Sequence, residues 1–354
     1  MTLFHSQVVD TIRACSAEMD QTGIASKQIL DVIVEQGLFK LFVPQDLGGL
    51  MTPMPEAFRI FEQGSWIDGT FGWLITIGSG GGFFTATMPP TTSKRLYMRD
   101  DAVVAGSGHP MGTAVKVDGG YNVNGQWRFC SGSTHATLFT ANSWITDENA
   151  TEPPVMRSFT FLPDQVNIIA DWNAFGLRAT SSYSIEVVDA FVPDEMTFDI
   201  MSEPYYDEPI FKYPFKQFAE GSFAAVSMGL GRHFLEEARS MVSRYQDKWS
   251  HTDRYAFVMK QIGQAEMNLS GAIADFYSSI EDSWNKHISG EPLTEEHLEE
   301  VSRKCKKVVR VAVQGAELIY PYLGIHAVMQ DTLINRIWRD LHTASQHAML
   351  IEYE

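Results

Sequence analysis

Cysteine is scarce in this chain: Cys15, Cys130 and Cys305 are the three in 354 residues, odd in number and unevenly spaced. That excludes a disulfide framework and any CxxC ligand pair, and three buried or half-buried thiols in a reducing compartment are expected instead. Basic residues are also short. Lys and Arg number 27 against 44 Asp and Glu, a formal net charge of −17. Nucleic acid and anionic membrane surfaces are met by clustered Lys and Arg, so neither is an expected partner. Nowhere does an apolar run approach the roughly 20 residues that a membrane-spanning helix requires. Residues 1–22 intersperse His5, Asp10, Arg13, Glu18 and Asp20 among the apolar positions. No signal peptide is read there, and the expected location is cytoplasmic.

What is present is apolar surface in quantity: 44% of the residues are hydrophobic, enough for a sizeable core at this length. Spacing through Val8, Ile12 and Cys15, then Ile29, Val32 and Ile33, predicts helices over about the first 95 residues, interrupted at Pro44 and Gly48-Gly49. From about 101 to 194 the pattern changes to short β-rich stretches at 113–117, 121–129, 158–162 and 183–192. Beyond Pro214, helical spacing returns over 216–249, 254–288, 295–320 and 331–351. Residues 146–154 read as a solvated hairpin loop. The order helix, strand, helix excludes a βαβ alternation and predicts an α+β protein: an N-terminal helical domain at 1–100, a central β-domain at 101–213 and a C-terminal helical bundle at 214–354.

Several stretches, in order along nearly the whole chain, resemble the acyl-CoA dehydrogenase superfamily. They are Gly37-Leu38-Phe39 with Val43-Pro44 and Gly48-Gly49; Asp68-Gly69-Thr70 with Gly72-Trp73; and Gly120 to Gly125 leading into Trp127-Arg128-Phe129-Cys130-Ser131-Gly132. Gly176-Leu177-Arg178-Ala179-Thr180-Ser181 before Phe191-Val192-Pro193, and Tyr322-Leu323-Gly324 before Arg339-Asp340, complete the set. The resemblance implies that fold, closing in a four-helix bundle. It does not by itself imply the reaction. Dehydrogenases place a carboxylate base about two helical turns after the Arg-Asp pair, and eight residues from Asp340 stands Ala348, which cannot take a proton. Glu220 lies near an alternative base position, but the register puts Gly221 there, and an exposed or first-turn helix glutamate is the plainer reading. Arg254-Tyr255-Ala256-Phe257 precedes Val258 where the family's FAD-holding motif has glycine. That departure fits a flavin that is borrowed and returned.

The flavin-dependent monooxygenase branch of the superfamily, which includes the oxygenases of p-hydroxyphenylacetate, a phenolic secosteroid and dibenzothiophene, matches better. It resembles this chain in Asp68 to Trp73, in Phe129-Cys130-Ser131-Gly132 with His135, and in Trp338-Arg339-Asp340-Leu341-His342-Thr343-Ala344-Ser345-Gln346-His347. The resemblance implies the oxygenase component of a two-component monooxygenase that hydroxylates an aromatic or heteroaromatic small molecule through a C4a-hydroperoxyflavin. Its FMNH2 or FADH2 would come from a separate flavin reductase, its oxidant would be O2, and its assembly would be a homotetramer. The chain carries no Rossmann fingerprint, so reduction by a nicotinamide would occur elsewhere. His347 is the expected acid or base at the substrate hydroxyl, placed on a C-terminal helix with Asp340, Ala344 and Ile351 on its side. Ser131 is expected to meet flavin N5, with Phe129 on the same strand face against the flavin ring. Ser107, on a glycine loop at 106–112, and Thr180 and Ser181 are further flavin contacts; His135, His109, Trp73 and His342 are candidate pocket residues. The alternatives are an acyl-thioester dehydrogenase with Glu220 as base and a non-catalytic scaffold of the same fold.

Overall fold

Asp68 shows how closely the first helices are joined. Its backbone ends one helix, and its Oδ1 accepts the Phe71 amide at 3.0 Å to start the next, so a single residue turns the chain. In this computed structural model, which describes residues 3–146, 154–249 and 251–352, five helices come first. They are α1 (Ser6–Thr22), α2 (Lys27–Glu35), α3 (Met54–Ile67), α4 (Gly69–Gly80) and α5 (Pro90–Tyr97). α4 is apolar almost all round and is buried on nearly every side, as expected of a helix in the middle of a core. Gly78 near its end serves close packing: a Cβ there would stand 2.3 Å from the Phe39 ring. Most of 146–154, predicted above to be a hairpin loop, lies outside the described residues.

Among the described residues seven strands follow: β1 (Val104–Val117), β2 (Gly120–Cys130), β3 (Leu138–Ile145), β4 (Val155–Phe161), β5 (Asn167–Ile169), β6 (Tyr183–Pro193) and β7 (Thr197–Phe198). They form one sheet in the order β5-β6-β2-β1-β3-β4-β7, in which only β1 and β3 pair in parallel. Asp118-Gly119 closes the β1–β2 hairpin, with Gly119 at φ +74°. Two differences from the sequence expectation stand out. Residues 106–112, expected as a glycine loop, are part of β1, whose register with β3 shifts between Ser107 and Gly112. β3 was not among the predicted strands: its centre, Ala141-Asn142-Ser143, has little strand preference, and pairing with β1 and β4 overrides it.

The chain then returns to helix with α6 (Pro209–Lys212), α7 (Phe215–Ser243), α8 (Arg254–Ser289), α9 (Glu295–Ile319) and α10 (Leu333–Ala344), the last four packing as a bundle. α3 lies so close to α7 that a Cβ on Gly229 would stand 2.0 Å from the Glu62 carbonyl. The buried Glu62 side chain fixes the crossing, accepting from Arg232 on α7 at 2.7 Å and from the Tyr277 hydroxyl on α8 at 2.6 Å. α10 is shorter than predicted. It stops at Ala344, where Thr343 and Ser345 hydroxyls bond to the Arg339 and His342 carbonyls, and His347 caps a separate 3-10 turn at Ala348–Leu350. The helical face shared by Asp340, Ala344, His347 and Ile351 therefore does not exist.

All three cysteines are buried and unpaired. No described helix is long and apolar enough to cross a membrane. Because the Tyr277 hydroxyl bonds to the same Glu62 carboxylate that pairs with Arg232, Tyr277→Phe should lower the unfolding free energy by about 1.5–3 kcal/mol, the range for a hydrogen bond to a charged group; urea denaturation of the two proteins measures it.

Candidate functional site

The site lies where α4, the end of β2, the turn before β6 and the segment after α10 meet. Three non-glycine residues there take left-handed backbone conformations: Phe129 (φ 65°), Leu177 (φ 50°) and Ser181 (φ 46°). Such strain persists only where surrounding contacts over-determine it, and it gathers at functional sites. At Phe129 it coincides with a shift in the β2–β6 register between Trp127 and Cys130. Phe129 and Ser131 consequently do not share a strand face, contrary to expectation. The Phe129 ring stands 61% exposed, edge-on to Trp172 and beneath the Arg128 guanidinium, whereas Ser131 is buried just beyond the strand end.

Ser131 begins a row of hydroxyls. Trp73 Nε1 donates to its Oγ at 2.9 Å; Ser131 and Ser182 Oγ are 2.7 Å apart; Ser182 and Thr180 hydroxyls are 2.7 Å apart; and Thr180 donates to the Leu177 carbonyl at 2.8 Å. The structure thus brings Thr180 to Ser131, through Ser182 rather than Ser181. Ser181 Oγ is buried and has no partner among the described residues. Leu177 is held from behind, its amide donating to Asp340 Oδ1 at 2.6 Å. Next along α10, Arg339 pairs with Asp20 at 2.6 Å and donates to the Phe175 carbonyl.

Trp73 also lies in an aromatic wall. Its ring is stacked 5.7 Å from Phe223, and the His347 imidazole stacks on Phe223 at 3.6 Å and lies 6.2 Å from Trp73. His347 Nδ1 accepts the Met349 amide at 3.4 Å, which assigns its proton to Nε2. Loss of solvent lowers its pKa to about 4, so the ring is neutral at pH 7. His135 stacks on Phe39 at 5.7 Å; desolvation again lowers its pKa to about 4, and its buried Nδ1 has no hydrogen-bond partner among the described residues.

Other expected residues stand apart. His342 stacks on Trp338, its Nδ1 is 2.8 Å from the Trp338 carbonyl, and its Nε2 is 3.3 Å from Glu317. Ser107 and His109 sit at the β1 irregularity, joined by a 3.4 Å bond between the His109 amide and the Ser107 hydroxyl. Among the described residues, no hydrogen bond or ring contact links these three to Ser131 or His347. Glu220 is neither exposed nor in the first turn of α7: it is 1% exposed, and its carboxylate is 3.9 Å from Lys306 on α9. Arg254 lies over the Trp249 ring. No group of three or more potential metal ligands occurs among the described residues.

Two participants escaped the sequence reading. Phe223 lies mid-helix without a local signal. Ser182 continues the run Thr180-Ser181, and only the left-handed turn at Ser181 decides which hydroxyl points inward.

Behind Asp340 is a separate cavity of about 220 Å³, lined by Arg13, Asp68, His233, Glu236 and Arg336 among others. Burial, then the nearby Asp68, raise the Asp340 pKa to about 7. Burial beside Arg13 and Arg336 lowers that of His233 to about 3.

Residues 222–352 match the family described as acyl-CoA dehydrogenase, C-terminal domain. The chain is 29% identical over 345 residues to the indole-3-acetate monooxygenase of Pseudomonas putida, covering 96% of this chain and 87% of that protein. It is 23% identical over 355 residues to the flavin-dependent monooxygenase oxygenase subunit HsaA of Rhodococcus jostii, covering 96% and 92%. Among solved structures, the 3-HSA hydroxylase from Rhodococcus sp. RHA1 has a TM-score of 0.89 at 22% identity, over 97% of this chain and 91% of that one. XiaF from Streptomyces sp., in complex with FADH2 and glycerol, has 0.86 at 18% identity, over 97% and 89%. The chain therefore has the acyl-CoA dehydrogenase-like α+β fold that its motifs led us to expect. Its relatives at 23–29% identity are named as flavin-dependent monooxygenases or their oxygenase subunits.

The raised Asp340 pKa has a sign. An acid whose folded pKa lies above its unfolded value of about 3.9 stabilises the fold most below that value, and the contribution is lost as pH rises through the folded pKa. Asp340→Asn retains an acceptor for the Leu177 amide and cannot ionise. Its stability relative to wild type should therefore improve by about 3–4 kcal/mol between pH 4 and 8, measured by urea unfolding at each pH; the buried histidines are common to both proteins and cancel.

Proposed function

We propose that this chain is the oxygenase component of a two-component, reduced-flavin-dependent monooxygenase acting on an aromatic or heteroaromatic small molecule. The observation that carries the reading is the wall of Trp73, Phe223 and neutral His347 beside Ser131, set in the fold shared with flavin-dependent oxygenases. An aromatic substrate would stack on that wall, and the low polarity that neutralises His347 and His135 also keeps water from competing there.

The residues present fit a flavin. Phe129 holds an exposed ring outward beside Trp172, where a flat heterocycle would cover it, and Ser131 retains an unused lone pair. These two, with Ser181 and Ser107, are the flavin contacts in this reading, while Thr180, its hydroxyl committed to Ser182 and the Leu177 carbonyl, supports them from behind. Reduced flavin, when bound, supplies the electrons by which one atom of O2 enters the substrate and the other leaves as water. His347 presents Nε2–H as a donor toward a substrate oxygen. To act as a base at Nε2 it would first have to surrender the Met349 contact, so holding a hydroxyl or oxyanion in place is the role its geometry supports.

The name of the relative at 29% identity makes indole-3-acetate the first substrate to try. A separate reductase follows from the oxygenase-subunit relatives. Exposed Phe257, Leu318, Ile325, Val328 and Met329 around the start of α8 and the turn after α9 support a homotetramer that covers them. We further place the protein in the cytoplasm, in keeping with its free cysteines. A dehydrogenase reading finds no base: Ala348 stands at the usual position, and Glu220 is held in the α7–α9 seam.

Photoreduced FMN or FAD, 18O2 and indole-3-acetate or simple phenols should give a product carrying one 18O atom only when the protein is present; absence of label from every aromatic tried, with flavin bound, would defeat the assignment. His347→Ala should reduce coupled product formation by about 10²–10³-fold, the usual effect of losing a donor to developing charge, while reduced-flavin affinity changes less than about twofold. Unaltered coupling would remove His347 from the site.

A further inference from the structure

The hydroxyl row behind Ser131 can be counted proton by proton. Four hydrogen bonds run in series, from Trp73 Nε1 to Ser131, from Ser131 to Ser182, from Ser182 to Thr180 and from Thr180 to the Leu177 carbonyl, with lengths of 2.7–2.9 Å. Four protons are available for them, one on the indole nitrogen and one on each hydroxyl. The indole nitrogen only donates, and the carbonyl only accepts. All four bonds therefore form together in a single direction, and reversing any link leaves one unmade. Solvent does not relax this rule, because Trp73, Ser131, Ser182 and Thr180 are all buried. Nor does the neighbouring Ser133 hydroxyl intervene: it is committed to the Ser181 carbonyl at 2.7 Å.

Ser131 is left with one spare lone pair and no proton to give. We infer that Ser182 and Thr180 make the site selective for the redox state of its flavin, by fixing Ser131 as an acceptor that suits the N5–H of reduced flavin and not the bare N5 of oxidised flavin. The inference rests on the reading that Ser131 faces flavin N5. Oxidised flavin would set lone pair against lone pair there unless the row turned round, and turning it round sacrifices the bond to Leu177 in a buried setting where it cannot be replaced. Ser182 and Thr180 are thus positioning residues that act through Ser131. For an oxygenase that receives its flavin reduced and must shed it oxidised, this polarity favours capture at one end of the cycle and release at the other.

The test is the affinity of the folded protein for each redox state, measured anaerobically with FMN and with FAD, oxidised and dithionite-reduced. Wild type should bind the reduced form more tightly. Ser182→Ala and the near-isosteric Thr180→Val each free the Ser131 proton to meet oxidised N5. Each should tighten oxidised-flavin binding roughly tenfold while reduced-flavin binding stays within about twofold. Ser182→Thr, which keeps the hydroxyl, should restore the wild-type ratio. A tenfold change in ratio appears independently as a fall of about 30 mV in the midpoint potential of the bound flavin. If folded Ser182→Ala and Thr180→Val keep the wild-type ratio, or weaken both redox states in parallel, the row is only structural and the inference is overturned while flavin binding stands. If wild type binds neither state, the functional reading falls and the inference falls with it.

Discussion

Much of the molecule is organised around two adjacent residues of α10, Arg339 and Asp340, whose polar side chains are buried at the junction of helix and sheet. Arg339 reaches back to Asp20 on α1 and to the Phe175 carbonyl, and Asp340 takes the amide of Leu177. Between them they fasten the segment that leads into β6. A buried ionic group is costly unless its partners are complete, so these contacts leave the segment little choice of position. That rigidity is what permits Leu177 and Ser181 to remain in left-handed conformations, and through them it aligns the Thr180–Ser182 hydroxyls with Ser131. The strain near the sheet is thus held by an ion pair in the helices.

The site itself carries almost no net charge, although the chain as a whole is strongly acidic, at −17. His347 and His135 are both held neutral by loss of solvent, and the nearest groups to Ser131 are an indole and two hydroxyls. A site of this kind does little proton exchange on its own account. It orients uncharged or weakly polar reactants and leaves the demanding electronic step to a cofactor, the division of labour seen across proteins that use one fold for different chemistries.

Much of this was legible in the sequence, for reasons that differ by element. The long helices α7, α8 and α9 announced themselves by sustained apolar spacing, and the three-part order followed from where that spacing stopped. Ser131, His347 and Trp73 came from matching motifs along the chain, and they do converge. What stayed hidden depended on contacts between distant segments. Phe223 enters the site only because α7 passes beneath the end of α10. The early stop of α10 was invisible to a pattern that continued apolar to Ile351; hydroxyls at Thr343 and Ser345 competing for backbone carbonyls ended it. Phe129 turned away from Ser131 because of an irregularity in strand pairing, which no residue spacing reports.

The early stop of α10 has a consequence for how such a protein can diversify. His347 rides on a short connector beyond the last bundle helix, not on the bundle itself. Residues 345–347 contribute none of the side-chain contacts that hold Arg339 and Asp340. The imidazole can thereby be re-aimed over the same aromatic wall. Selection acting on that connector could move the enzyme among ring systems of different size while the costly part of the architecture is inherited unchanged.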